Sequence, residues 1–327
     1  MKYSWKTISS LLFALFFLTF SCSENDNLPK PGTDNGTTVN ANANPTAANA
    51  NYARLEFPHI KLGGNNLVIV HSTSDYGVNY SLEWDCDKKA QRWSCYEIDA
   101  TNSVVNWKRS YWKNTSWQGD PFQEDPNIPQ AYRTTLSDYR GSGYDRGHIC
   151  PSADRQNSRD ANEQTYYLSN MQPQASSAAT KTDSGDTYYL SNMQPQVHGF
   201  NAGVWENMEG QLRNTWNTSK YRDILYVCKG GTIDNSSQIA GYTPKSKLIV
   251  PKYFFAAILA VKNGQYKAIG LWFEHKVNDD TDLSKYVVSI DELERLTGID
   301  FFCNLPDNIE NKVESASKSK MLSDWGL

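Results

Sequence analysis

Three apolar runs, Ile224–Cys228, Leu248–Val261 and Tyr266–Phe273, do most to restrict what this chain can become. Each is bounded by Gly or Pro and reads as a buried strand. Leu67–His71, Tyr80–Asp85 and Trp93–Ile98 read as further strands. Ser289-Ile290-Asp291-Glu292 is a capping box that opens a short helix, which Gly298 closes. The stretch from Asn106 to Tyr144, with many aromatic, Pro and Gly residues, reads as ordered loop. From about Leu55 the chain is therefore expected to form one α+β domain. With 39% hydrophobic and 13% aromatic residues it has enough to bury a sizeable core.

The N-terminus has a different character. Lys2 and Lys6 precede the apolar run Leu11–Leu18, too short to span a bilayer and laid out like a secretory signal. Leu18-Thr19-Phe20-Ser21-Cys22 resembles a bacterial lipobox, although Phe20 is bulky for that motif; an ordinary cleaved signal is the other reading. Ser23-Glu24-Asn25-Asp26 is similar to the acidic stretches that route some Gram-negative lipoproteins to the cell surface. The expected organisation is a signal over 1–21, a lipidated Cys22 and flexible linker over 22–53, and a folded domain over 54–327. The linker is rich in Asn, Ala, Thr, Pro and Gly and offers almost nothing apolar to bury. The protein is thus expected to be exported and lipid-anchored to the outer membrane or cell surface, touching the membrane only through the lipid on Cys22.

Cys86, Cys95, Cys150, Cys228 and Cys303 follow, with no CxxC pair to suggest a zinc ribbon. Cys86 and Cys95 flank a polar turn, and a hairpin there would bring them close enough to bridge. The net charge of −4 gives no basic face for nucleic acid, so a local site must carry any such function.

Thr165–Gln174 (Thr-Tyr-Tyr-Leu-Ser-Asn-Met-Gln-Pro-Gln) recurs unchanged as Thr187–Gln196. Two units are too few for a solenoid. Removing 165–186 or 175–196 leaves the same shorter sequence, so the repeat is one tandem insertion, around 165–196, into an ordinary domain.

Asp145-Arg146-Gly147-His148 holds the chemistry. Phosphodiester hydrolysis needs a base near neutral pKa, a cation at the phosphate, and a metal to stabilise charge on the leaving oxygen. His148 and Arg146 supply the first two. Downstream, Asn201, Trp205 and Glu209 fall on one stripe of a helix, where an amide oxygen and a carboxylate can share one hydrated Mg²⁺. By itself Asn201 could equally be a helix cap.

Together these residues resemble the DNA/RNA non-specific endonucleases, the ββα-metal group that includes endonuclease G. The resemblance covers nearly all of 55–327. Asp145–His148 matches the DRGH signature, Asn192 the asparagine ending the following strand, Asn201 the metal ligand and Glu209 the helical glutamate. Ile249-Val250-Pro251-Lys252-Tyr253-Phe254 matches a later core strand that begins at a proline. The resemblance implies a central, mostly antiparallel sheet flanked by helices, with a ββα-metal motif. It implies His148 as the base, Arg146 on a phosphate oxygen, one Mg²⁺ (or Mn²⁺ in its place) on Asn201, and Glu209 acting through water. Asn192 joins them as a site residue. The substrates implied are DNA and RNA, held by their phosphates without sequence reading, with 5′-phosphorylated products.

Two features depart from the family pattern. The basic residue expected in the loop before DRGH has no clear equivalent: Gln118 and Gln123 lie there, and Arg109 is further away. The insertion also falls between His148 and Asn201. Only one copy can fill the strand that leads to the catalytic helix, and Thr187–Gln196 is expected to, since its Asn192 stands nine residues before Asn201, as the family pattern implies. Two other functions stay open: a surface nucleic-acid-binding lipoprotein whose site the insertion has impaired, and a metal phosphodiesterase for small nucleotides.

Overall fold

The computed structural model describes residues 39–61, 63–108, 121–175, 199–278 and 280–327. The expected signal, Cys22 and the first part of the expected linker lie outside them, as does the second repeat copy.

The apolar runs form the middle of a seven-stranded sheet. Its strands are β1 (Asn66–Thr73), β2 (Gly77–Asp85), β3 (Ala90–Ile98), β6 (Ile224–Gly231), β9 (Tyr253–Lys262), β10 (Gln265–Glu274) and β11 (Val287–Val288), hydrogen-bonded in that order. Every pairing is antiparallel. Along β9 the side chains alternate strictly. Phe254, Ala256, Ile258 and Ala260 join one buried cluster, and Phe255, Ala257, Leu259 and Val261 the other. A strand covered on both faces must be apolar at every position, which is why its sequence shows no alternation.

On the first face pack α3 (Glu206–Gln211) and α6 (Lys318–Trp325), through Met208, Met321 and Trp325. On the second pack α4 (Ile290–Thr297) and α5 (Asp307–Glu314), through Ile290, Leu293 and Val313. The Oγ of Ser289 caps α4 by accepting from the Glu292 amide, and Gly298 ends it at φ 69°. Two small sheets complete the fold: β4 (Asp145–His148) with β5 (Met171–Gln174), and β7 (Ile239–Tyr242) with β8 (Ile249–Pro251). Two short helices, α1 (Leu136–Tyr139) and α2 (Arg159–Gln164), stand on either side of β4 in the chain. The α+β class and antiparallel sheet are as expected.

Several expectations need correction. The run Leu248–Val261 is two strands in two sheets: Pro251 has no amide proton to continue a ladder, and the chain breaks at Lys252, whose amide bonds to Gln238. Residues 39–53, expected to be flexible, are docked. Asn44 is 5% exposed, and its side chain bonds both Pro58 and Ile60. The Asn40 amide donates to Leu305, and Asn49 caps a short turn over Ala50–Ala53. Composition pointed to a tether because nothing there was apolar, but the asparagine amides dock by hydrogen bonds instead. Cys86 and Cys95 do not bridge. Cys95 pairs in register with Ser81, well along β2 from Cys86, and the two thiols belong to clusters on opposite faces of the sheet.

Candidate active site

Strand β4 carries Asp145, Arg146, Gly147 and His148, and β5 lies antiparallel to it with His148 opposite Met171 and Asp145 opposite Gln174. That partner strand is the first repeat copy, where the second was expected. Asn192 lies outside the described residues, and Asn170 holds its expected place. The reason is local. Helix α2 ends at Gln164 already tied to the main sheet: its side chain donates to Ser72, and its carbonyl accepts from the Tyr80 hydroxyl. The next residues in line, from Thr165, are the first copy. The chain then leaves after Ala175 and returns beside it, since the Asn201 amide donates to the Ala175 carbonyl at 3.3 Å. The inserted length thus departs and re-enters at one point, and strand and helix keep their junction.

Nearly all of the first copy is buried. Asn170 is fully enclosed. Its Oδ1 accepts from the Cys150 amide at 2.9 Å, while its Nδ2 donates to the carbonyls of Cys150 and Thr165, each at 2.8 Å. Every polar atom of this side chain therefore locks the turn that follows His148, which makes it a positioning residue. Gln172 ties β5 to the large sheet, accepting from Gly231 at 2.7 Å and donating to the Gln91 carbonyl at 3.1 Å. Ser169 donates to Asp125 at 2.5 Å, and Asp125 also meets His71 on β1 at 3.0 Å. The imidazole beside it holds the Asp125 carboxyl below its usual range despite burial.

His148 is half-buried, its ring edge-on to Tyr166 at 5.0 Å and tilted against Phe122 at 5.7 Å. The Arg146 guanidinium lies 3.9 Å above the same Phe122 ring. One aromatic thus sets the directions of both. Gly147 between them is required for close approach, because a Cβ there would overlap the Gln174 carboxamide.

Asn201 opens the third element. Its Nδ2 donates to the Asp145 carboxylate at 3.3 Å, which sets the amide and the carboxylate side by side. Burial raises the Asp145 carboxyl, against the lowering influence of Asn201 and Arg146. Two oxygen donors side by side fit a hard divalent cation. The regular helical stripe anticipated from the sequence is broken, however. The backbone departs from helix at Ala202 and Gly203, the helix proper begins at Glu206, and Trp205 turns into the core. Glu209 follows on α3 and pairs at 2.8 Å with Lys229 of β6, whose side chain is fully buried. Burial still holds the Glu209 carboxyl above its usual range. The structure thus places Asp145, Arg146, His148 and Asn201 on one ββα unit, with Glu209 anchored to the sheet behind it.

Sequence reasoning missed His275. Its Nε2 accepts from the Ala175 amide and its Nδ1 donates to the Pro251 carbonyl, both at 2.7 Å, and its ring meets Phe200 at 5.1 Å. This histidine pins the end of β5 and the start of the Asn201 turn to β10. No motif surrounds it in the chain, so no local signal marked it.

A family model described as DNA/RNA non-specific endonuclease matches residues 65–182 and 175–308. The two pieces meet in the duplicated region, as one domain interrupted by a tandem insertion would. Nuclease C1 of Cunninghamella echinulata var. echinulata is 30% identical over 209 residues, which cover 62% of this chain and 73% of that protein. The mitochondrial Nuclease 1 of Schizosaccharomyces pombe is 33% identical over 194 residues, 55% of this chain and 52% of that protein. The chain thus spans about half the length of the second relative. In fold it is similar to a chain of the crystallised EndoG/EndoGI complex, with a TM-score of 0.57, 24% identity, and coverage of 76% of this chain and 91% of that one.

Proposed function

Since this chain belongs to the DNA/RNA non-specific endonuclease family, we propose that it is a Mg²⁺-dependent endonuclease that cuts DNA and RNA without reading sequence and leaves 5′-phosphorylated ends. The observation that supports this most is the single ββα unit on which Asp145, Arg146, His148 and Asn201 meet. His148 takes the proton from the attacking water, its ring oriented by Tyr166 and Phe122. Arg146 holds a phosphate oxygen, with Phe122 fixing its plane. Asn201 and Asp145 would hold the cation, and Glu209, steadied by Lys229, would orient water near it. When bound, the cation supplies positive charge for the pentacovalent phosphorus and the departing 3′ oxygen. Asn170 fixes the turn that follows β4 and Gln172 ties β5 to the large sheet, so both act by positioning.

Contacts to phosphate carry no base information, so cleavage should tolerate any sequence and either sugar, and should weaken as salt rises. Export on a lipidated Cys22 would set this activity on nucleic acid outside the cell. Purified protein offered long DNA, long RNA and a dinucleotide distinguishes the readings. The proposal expects both polymers to be cut to ends that a 5′-phosphate-dependent exonuclease degrades. Turnover of the dinucleotide alone would assign it to small-nucleotide hydrolysis instead.

A further inference from the structure

On the sheet face opposite the ββα unit, α4 and α5 bring acidic groups together, with His59 a positive neighbour of Asp300. Asp291 and Glu294 stand one turn apart on α4, as do Glu310 and Glu314 on α5, and Asp300 comes from the connection. One carboxylate oxygen from each of Asp291, Glu294 and Glu314 lies within 4.8 Å of the others. None of the ion pairs among the described residues involves any of the five, and Arg295 of α4 is committed to Glu292 at 2.6 Å.

Two groups donate to the cluster. The Phe301 amide bonds Glu294 at 2.7 Å, and Asn42 donates to Asp300 at 3.1 Å and to Glu310 at 2.9 Å. Glu314 is only 7% exposed, and its buried Oε1 has no hydrogen-bond partner among the described residues. A buried carboxylate with an unsatisfied oxygen, set beside two other carboxylates, is costly when ionised unless something positive joins them. Burial first, and the neighbouring carboxylates or the backbone next, set these groups: Glu294 is pushed up to about 8 and Glu314 to about 9.

The donor set suits one ion in particular. Ca²⁺ takes about six to eight oxygens in a flexible arrangement and is readily held by several carboxylates at once, whereas Mg²⁺ keeps most of its waters and usually takes only about one or two carboxylates. We propose that Asp291, Glu294 and Glu314 form a calcium site, separate from the nuclease centre, that fastens α4 to α5. Through Asp300, Glu310 and Asn42 it also steadies the segment by which the chain enters the domain.

The test is the thermal midpoint of the full chain in saturating Mg²⁺, with and without Ca²⁺. Calcium at about a hundred times its Kd should raise the midpoint by about 5 °C. The Glu294→Gln/Glu314→Gln variant should lose that shift, nick plasmid as the parent does, and melt no lower than the parent in EDTA, since it loses only uncompensated charge. Calorimetric titration with Ca²⁺ in the same Mg²⁺ buffer should count one site in the parent and none in the variant. No shift in the parent would overturn the proposal. So would a shift that survives in the double variant but disappears in Asn201→Ala, because that would locate the calcium at the nuclease centre.

Discussion

The Ala175 carbonyl accepts a hydrogen bond from the Asn201 amide at 3.3 Å, although the whole second repeat copy lies between them in the chain. This closure lets a domain absorb a tandem insertion between His148 and Asn201. It also means that the first copy, through Asn170, secures the turn behind His148.

Asn170→Ala should therefore cut nicking strongly and cost about 2–3 kcal/mol of stability, since it strands buried partners on Cys150 and Thr165. Asn192→Ala should leave both close to the parent. Nicking assays and denaturant melts of the two variants check this; equal damage from both would show that the copies share the slot. Deleting 175–196 should give an active chain.

Gly147→Ala should destabilise the β4–β5 pair by about 1–3 kcal/mol, because its new methyl group overlaps Gln174. The amide atoms of Gln174 are buried without hydrogen-bond partners among the described residues, so its shortening sacrifices little. Gly147→Ala/Gln174→Ala should recover most of the lost stability, measured by urea unfolding.

The pH dependence of stability should carry the mark of His275. Burial lowers its pKa below 6.5, against the bond to Pro251. A histidine lowered on folding contributes stability that is fully present above pH 6.5 and lost as pH falls through its folded value. Protonation at Nε2 would also set two donors face to face at Ala175. Carboxyls raised by burial, Glu294 and Glu314 among them, gain stability over the same fall in pH, so the mark lies in the difference between variants. From pH 7 to 5 the parent should lose stability relative to His275→Gln, and identical slopes would remove His275 from the account.

How much of this was legible beforehand varied with the kind of interaction. Strands such as Tyr253–Lys262 were plain because apolar burial writes itself into every residue. The Asp145–His148 unit was plain because its chemistry sits in four consecutive positions. The docking of Asn40 and Asn44 was hidden, since amides that bond backbone look like those of a loop. The pairing of Glu209 with Lys229 was hidden because β6 meets α3 only in three dimensions. The choice of repeat copy could not be seen either: the two are identical, and what decides between them is that Gln164 is already docked when Thr165 follows.

Glu209 is expected to matter less than Asn201. Glu209→Gln should slow nicking by about 10–100-fold, as groups acting through water usually do, while Asn201→Ala should abolish it. Lys229→Met should resemble Glu209→Gln, since it frees the carboxylate that Lys229 holds. Single-turnover nicking rates at saturating Mg²⁺ decide this, and a harmless Glu209→Gln would confine that residue to the scaffold.

The central claim, that the ββα unit built with the first repeat copy is a metal-dependent nuclease centre based on His148, is tested most directly by plasmid nicking. Purified parent protein in Mg²⁺ should convert supercoiled DNA to nicked and linear forms, and excess EDTA or His148→Ala should each stop it while the fold, followed by circular dichroism, stays intact. Full nicking in excess EDTA, or by a folded His148→Ala protein, would contradict the account.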